Sequence, residues 1–218
     1  GGYAEYACLR AGGAIALKPA NVSWEEAATL PMGGMEALDF LPRAQIQPGD
    51  RLLINGAGGS IGTLAVQLGK HYGAEVTAVD SGDKLDMLLA IGADHAIDYT
   101  REDFASDGRR YDVIFDVIGK SPFARSLEAL APGGRYLLGN PRQADRRRAA
   151  RAGRYGDKRI LTADDERGAT AMERLRELVE AGVLRPVIDR RYPLEETAEA
   201  HRYVESGRKR GTVAITVA

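Results

Sequence analysis

A glycine-rich segment between a buried apolar run and a helical apolar pattern constrains this chain most. Residues 51–55 (Arg-Leu-Leu-Ile-Asn) have the composition of a short buried strand. Four glycines fall within residues 56–62, and apolar side chains then recur at helical spacing: Ile61, Leu64, Ala65 and Leu68. Residues 56–62 therefore predict a tight turn that leads from a strand directly into a helix.

The alternation of strand and helix patterns continues along the chain. Further strands are predicted at residues 76–80, 95–99, 111–118 and 135–139. Helices are predicted around residues 85–89, 122–130 and 172–179, and the Pro-Gly-Gly of residues 132–134 is predicted to end the second of these. Strands that alternate with helices form parallel sheets covered on both faces. The predicted fold class is therefore α/β, a Rossmann-type doubly wound parallel sheet.

The two ends of the chain carry different patterns. Residues 3–9 predict a short strand, and Ser23 followed by Glu26 has the spacing of a capping box at the start of a helix. Residues 187–192, 194–206 and 212–217 predict a strand, a helix and a strand. These terminal elements lie outside the regular alternation of the central part.

The position of the glycine turn predicts an anion site. The first N–H groups of a helix have no intrahelical partner and carry the positive end of the helix dipole, so a phosphate binds there readily. Ala57, Gly59 and Gly62 match the spacing of the dinucleotide fingerprint, with alanine at its first position. In this fingerprint Gly59 allows a pyrophosphate to approach, and Gly62 allows close packing of the helix on the strand.

The end of the next predicted strand gives opposed indications about the nucleotide. Asp80 is placed to accept hydrogen bonds from both hydroxyls of an adenosine ribose, as NAD requires. Lys84 lies one helical turn further on and is placed to attract the 2′-phosphate of NADP. The sequence therefore predicts NADP or NAD as cofactor, with a slight preference for NADP.

Composition excludes several other classes of protein. Lys and Arg number 30 against 31 Asp and Glu among 218 residues, so the global basic field of a dedicated nucleic-acid binder is missing. The single cysteine, Cys8, excludes a disulfide framework and suits the reducing cytoplasm, which is the predicted location. No apolar run approaches the roughly 18 residues of a membrane-spanning helix, so no membrane association is expected.

One segment is locally basic, and its arginines are the only sequence feature that suggests RNA or DNA binding. With a single aromatic residue, Tyr155, for base stacking, the segment is more typical of a solvated loop, so nucleic acid is not a predicted partner. The arginines are Arg142, Arg146, Arg147, Arg148, Arg151, Arg154 and Arg159.

Taken together, these segments resemble the medium-chain dehydrogenase/reductase superfamily, in particular its zinc-independent, quinone-reductase-like branch. The resemblance is carried by the glycine turn and by residues 16–21, 30–38, 91–99 and 186–194. It implies an oxidoreductase that transfers hydride between a nicotinamide cofactor and a small quinone, enone or carbonyl/alcohol substrate. It also implies that a GroES-like catalytic domain precedes this chain, and that remnants of that β domain lie at both chain ends.

The same resemblance assigns domains and cofactor contacts. Residues 1–21 would be the terminal strand of the catalytic domain, residues 22–185 the nucleotide-binding domain, and residues 186–218 a segment that returns to the catalytic domain. A homodimer is common in the family and is expected here. The implied cofactor-binding residues are Gly56, Ala57, Gly58, Gly59, Ser60, Ile61, Gly62, Asp80, Ser81, Lys84, Tyr99, Val117, Ile118, Gly119, Leu138 and Gly139.

Zinc is not predicted. Zinc-dependent relatives place a cysteine where this chain has Met32, and a thioether is a poor zinc ligand. The other candidates (Cys8, His71, His95 and His201) do not have the spacing of a tetrahedral site. No residue is singled out as a catalytic acid, base or nucleophile.

Two alternatives remain open at the level of sequence. A methyltransferase that uses S-adenosylmethionine also combines a glycine turn with an acidic strand end. The second alternative is a nucleotide-binding domain that has no catalytic activity of its own and serves as a sensor or in RNA binding. A short-chain reductase is excluded because no tyrosine has a lysine four residues further on.

Overall fold

A parallel β-sheet forms the centre of the molecule. The computed structural model describes residues 2–10, 12–106, 108–119, 121–140, 154–163 and 169–217. The strands are β1 (Arg51–Asn55), β2 (Glu75–Asp80), β3 (His95–Asp98), β4 (Tyr111–Asp116), β5 (Leu130–Leu138), β6 (Arg154–Tyr155), β7 (Lys158–Thr162), β8 (Ile188–Pro193) and β9 (Thr212–Thr216). The helices are α1 (Trp24–Arg43), α2 (Ser60–His71), α3 (Leu85–Ala90), α4 (Phe123–Glu128), α5 (Ala169–Glu180) and α6 (Thr197–Glu205).

The order of strands in the main sheet is β3-β2-β1-β4-β5-β7-β6. The first six of these run parallel, and β6 pairs antiparallel with β7 at the described edge. The chain crosses from one side of β1 to the other between β3 and β4, so a crevice opens at the carboxyl ends of β1 and β4. In open α/β sheets, ligands bind at such a switch point. This order confirms the predicted Rossmann-type α/β fold.

Apolar side chains on the two faces of the sheet form two cores. On one face, α1, α2 and α5 cover residues such as Leu52 and Phe115, and the Phe40 ring of α1 lies 5.0 Å from the Phe115 ring. On the other face, Tyr111 and Tyr136 join a second buried cluster. Strands that are buried on both faces are continuously apolar, which explains why the short apolar runs locate them well.

The long helix α1 begins at the predicted capping box. The Ser23 hydroxyl accepts a hydrogen bond from the Glu26 amide at 3.2 Å, and the Glu26 carboxylate accepts one from the Ser23 amide at 2.7 Å. Two N–H groups that a helix start leaves without partners are thereby satisfied. Among the helices of the described ranges, none is long and apolar enough to cross a membrane.

The predicted strand at residues 3–9 is wrong. These residues have no strand conformation, and Tyr6 is 90% exposed. A strand needs a neighbour for its backbone hydrogen bonds, and none of the described strands pairs with this segment. The GroES-like remnants expected at the chain ends therefore stay a prediction, as do the domain boundaries at residues 21 and 185.

The Pro-Gly-Gly of residues 132–134 does not end the preceding helix as predicted, because α4 already ends at Glu128. These residues lie within β5, which already pairs with β4 through Leu130 opposite Tyr111. The pairing then slips, because the next matched pair is Arg135 opposite Val113. The Pro-Gly-Gly segment is thus accommodated as an irregularity of the strand, where proline needs no ladder donor.

The end of the chain forms a small unit beside the main sheet. Strands β8 and β9 pair in parallel, and α6 connects them, as the sequence predicts. The Tyr203 hydroxyl of α6 donates a hydrogen bond of 2.6 Å to Asp189 of β8. The basic segment is only partly described: Arg159 lies in β7 and Arg154 in β6, and the predictions for residues 142–151 lie outside the described residues.

Candidate nucleotide-binding site

The glycine turn lies between β1 and α2, at the switch point of the sheet. The amides of Gly56 and Ala57 both donate to the Val79 carbonyl of β2, at 2.9 and 3.1 Å. Gly59 is the N-cap of α2, and no side chain of the described residues caps the helix there. The Ser60 N–H points towards the Gly211 carbonyl in a parallel bridge between Gly59 and Gly211. The next N–H groups of α2, at Ile61 and Gly62, are available to an anion.

Gly59 has a backbone that any residue could adopt. Its φ of −96° and ψ of −178° are extended values. A Cβ atom placed on it would lie 3.8 Å from the Lys209 Nζ and 3.9 Å from the Gly56 carbonyl oxygen, which is ordinary contact. Neither backbone conformation nor packing within the protein requires glycine at this position. The space that a side chain would fill lies at the start of α2 and suits the close approach of a phosphate.

Two other glycines are required by packing. A Cβ on Gly62 would overlap the backbone of Gly56 and Ala57, with the Ala57 oxygen 2.5 Å away. A Cβ on Gly33 of α1 would overlap the Ser60 carbonyl group, with its carbon 2.7 Å away. These contacts fix α2 against the turn and α1 against the start of α2. They hold the candidate anion site in place.

Asp80 and Lys84, which give opposed indications for NAD and NADP in the sequence, form a buried ion pair with each other. They are 6% and 7% exposed, and the Lys84 Nζ lies 2.8 Å from the Asp80 Oδ1. The Asp80 carboxylate also accepts hydrogen bonds from the amides of Gly58 (2.7 Å) and Ser81 (2.9 Å). Lys84 donates to the Gly207 carbonyl at 3.3 Å. Asp80 thus links the glycine turn to the end of β2, and its predicted contact with ribose stays a prediction.

Lys209 is a candidate site residue that no motif in the sequence indicates. It lies in the loop between α6 and β9, and this loop contacts the glycine turn, because the Gly211 amide donates to the Gly58 carbonyl at 2.8 Å. The Lys209 Nζ donates to the Gly211 carbonyl at 2.7 Å. Burial, followed by repulsion from Lys84, lowers the pKa of Lys209. A half-buried cation therefore faces the start of α2, and the only sequence signal for it was the basic run of residues 208–210.

The second group of predicted residues follows β4 and β5. The Gly139 amide donates to the Asp116 carbonyl at 2.9 Å, which joins the two strand ends. Ile118 lies against Gly56, since a Cβ on that glycine would overlap its side chain. The structure thus brings Val117, Ile118, Gly119, Leu138 and Gly139 together beside the glycine turn.

Tyr99 and Ser81 lie at the other end of the candidate site. The Tyr99 amide donates to the Asp80 carbonyl at 3.2 Å, and the Tyr99 side chain is exposed. The Ser81 hydroxyl donates to the Asp83 carboxylate at 2.6 Å. Both residues flank the end of β2, where the fingerprint places the adenosine ribose.

Metal ligands do not cluster in the part of the chain that the structure describes, where no group of three or more His, Cys, Asp or Glu side chains could hold an ion. Met32, which stands at the position of a zinc ligand in the resemblance, is an exposed residue of α1. Independence from zinc stays a prediction.

Comparison with known proteins agrees with this geometry. Residues 91–215, more than half of the chain, match the family described as zinc-binding dehydrogenase. The chain belongs to the medium-chain dehydrogenase/reductase superfamily. The solved structure of the quinone oxidoreductase from Coxiella burnetii superposes with a TM-score of 0.82 at 30% identity, over 92% of this chain and 63% of that one.

Two plant relatives of this medium-chain dehydrogenase/reductase are similar in sequence. The tomato (Solanum lycopersicum) 2-methylene-furan-3-one reductase is 33% identical over 92% of this chain and 49% of its own length. The chloroplastic NADPH-dependent alkenal/one oxidoreductase of Arabidopsis thaliana is 32% identical, over 92% of this chain and 49% of its own length. The chain thus spans about half the length of these relatives.

Proposed function

We propose that this chain carries the cofactor-binding part of an NAD(P)H-dependent oxidoreductase that transfers hydride to a quinone, an enone or a carbonyl carbon. The observation that carries this proposal is Gly59: packing does not require glycine there, and the space beside it lies at the uncapped start of α2. The names of the tomato, Arabidopsis and Coxiella relatives, all reductases or oxidoreductases, support the reaction class.

The residues present fit a dinucleotide. The amides of Ile61 and Gly62 would hold the pyrophosphate, and the end of β2 would hold the adenosine ribose. The turns after β4 and β5 would border the nicotinamide, which supplies the hydride when the cofactor is bound. The protein itself positions the reactants and keeps water away from the reacting atoms.

NADPH is the cofactor that we infer, with NADH as the competitor to be tested. The Lys84 ammonium group lies 2.8 Å from the Asp80 carboxylate at the end of β2. The fingerprint places the adenosine ribose there, so the positive charge of Lys84 would attract a 2′-phosphate. The name of the Arabidopsis relative, which specifies NADPH, supports this preference.

Titration of the protein with NADPH and with NADH, followed by nucleotide fluorescence, tests the proposal. Both cofactors share the pyrophosphate, so both are expected to bind with a Kd tighter than about 1 mM, NADPH the more tightly. S-Adenosylmethionine serves as the control ligand because it lacks a pyrophosphate. A Kd of about 1 mM or weaker for both nicotinamide nucleotides would overturn the proposal. Tight binding of S-adenosylmethionine instead would favour a methyltransferase.

Replacing Lys209 with methionine is expected to weaken the binding of NADPH and NADH by the same factor, about tenfold. Lys209 faces the start of α2, so its charge would act on the pyrophosphate that both cofactors contain. A role in 2′-phosphate recognition would instead weaken NADPH binding alone. Titrating both cofactors against the K209M variant separates the two cases, and unchanged affinity for both would remove Lys209 from the site.

The pH dependence of binding gives a second test of the same lysine. The pKa of Lys209 is lowered by burial and by Lys84, with Asp80 and Asp189 acting in the opposite direction. A bound anion favours the protonated amine, so affinity is expected to fall as the pH rises through this lowered pKa. In the Lys209→Arg variant the side chain stays charged throughout this range, so its affinity for NADPH and NADH should vary less with pH.

A further inference from the structure

A buried polar network lies directly beneath the turns that follow β1, β4 and β5. At its centre is Asp116, the last residue of β4, which is 1% exposed. Its Oδ1 accepts hydrogen bonds from the Asn55 side-chain amide at 3.0 Å and from the Gly119 backbone amide at 2.9 Å. Its Oδ2 accepts one from the Tyr136 hydroxyl at 2.9 Å. Side chains from both neighbouring strands, β1 and β5, thus donate to one carboxylate at the end of β4.

The donors to this carboxylate are all uncharged. Asn55, Gly119 and Tyr136 supply an amide, a backbone N–H and a phenol, and both carboxylate oxygens act as acceptors, as in an ionised group. None of the ion pairs recorded among the described residues involves Asp116. Its negative charge is therefore stabilised by dipoles in a buried position, where electric fields act over longer distances than in water.

The network fixes the conformation of the turn at residues 117–119. The bond from the Gly119 amide closes this turn onto Asp116, and Gly119 has a φ of +65°. The Val117 amide donates to the Asn55 carbonyl at 3.1 Å, and the Asn140 side chain donates to the Val117 carbonyl at 3.0 Å. The turn is held from both neighbouring strands, so its position depends on the network below it.

We propose that Asp116 is a positioning residue that also sets the balance between the oxidised and reduced cofactor. The inference rests on the proposed function, in which the turn at residues 117–119 borders the nicotinamide. The oxidised nicotinamide ring carries a positive charge, and the reduced ring is neutral. With the cofactor bound, the buried carboxylate beneath this turn would therefore stabilise the oxidised form relative to the reduced form.

The variant Asp116→Asn tests this inference because it removes the charge and retains the shape. Its carbonyl oxygen can still accept from Asn55 and Gly119, and its amide can donate to the Tyr136 hydroxyl. The affinity for NADP⁺ is expected to fall about tenfold relative to that for NADPH, because the attraction between the carboxylate and the charged ring is lost. Calorimetric titration with NADP⁺ and fluorescence titration with NADPH give the ratio without any measurement of activity.

Tyr136→Phe is the matched control, because it removes one hydrogen bond to Asp116 and leaves the charge. Loosening of the turn alone would weaken both forms of the cofactor equally, so the ratio in this variant should equal that of the unmodified protein. A ratio in Asp116→Asn equal to that of the unmodified protein overturns the inference and leaves the proposed function intact. An unmodified protein that binds neither form overturns the proposed function, and this inference with it.

Discussion

Replacing Gly59 with aspartate is expected to weaken the binding of NADPH and NADH by about a hundredfold or more while leaving the fold intact. The introduced side chain meets no clash, since a Cβ there makes only ordinary contacts with the Lys209 Nζ and the Gly56 carbonyl oxygen. Aspartate is also a favourable N-cap residue, so α2 should be as stable as before. Its carboxylate, however, would occupy the place proposed for the pyrophosphate and would repel it. Fluorescence titration measures the binding, and thermal unfolding measures the stability.

The variant Gly59→Asn separates charge from volume at the same position. Asparagine has nearly the same shape as aspartate and also caps helices well, but it carries no charge. We expect an intermediate loss of binding, with the melting temperatures of both variants close to that of the unmodified protein. Unchanged affinity in Gly59→Asp would show that phosphate binds elsewhere, and unfolding of both variants would show that packing requires this glycine after all.

The main sheet could be predicted because its signals are local. Runs such as residues 52–54 are continuously apolar, and their strands are buried on both faces. The strand predicted at residues 3–9 failed for the opposite reason: its local pattern is suitable, but a strand also requires a partner. The prediction that Pro-Gly-Gly ends a helix was wrong because a β-strand can contain an irregularity at such residues, as the shifted pairing of β5 with β4 shows.

The candidate site was predictable where a motif is contiguous and less so where side chains meet across the fold. The glycine turn was located from spacing alone. The motif locates both Asp80 and Lys84, but it does not predict that they are buried and form an ion pair with each other. Lys209 could not be placed, because the contact between the glycine turn and its loop joins segments about 150 residues apart. The network around Asp116 unites three strands in the same way.

Gly62→Ala is expected to destabilise the protein by about 3 kcal/mol, near the upper end for an overpacked site. The added methyl group overlaps the backbone of Gly56 and Ala57, and backbone cannot move aside as a flexible side chain can. Helix α2 would have to shift away from the turn, against the close contact that Gly33 makes with Ser60. Thermal unfolding should show a melting temperature lower by roughly 6–12 °C for a chain of this size.

Gly69→Ala is the matched control within the same helix. Its Cβ would lie 2.6 Å from the Leu52 Cδ2 and 3.1 Å from the Val76 Cγ2, which are ends of buried side chains and not backbone. Because side chains adjust more readily than backbone and alanine is about 1 kcal/mol better than glycine inside a helix, the loss of stability should be clearly smaller than in Gly62→Ala. Equal melting temperatures for the two variants would mean that α2 does not pack on the glycine turn as closely as the structure shows. A large loss in Gly62→Ala alone locates the rigid part of the site at the contact between the first turn of α2 and residues 56–57.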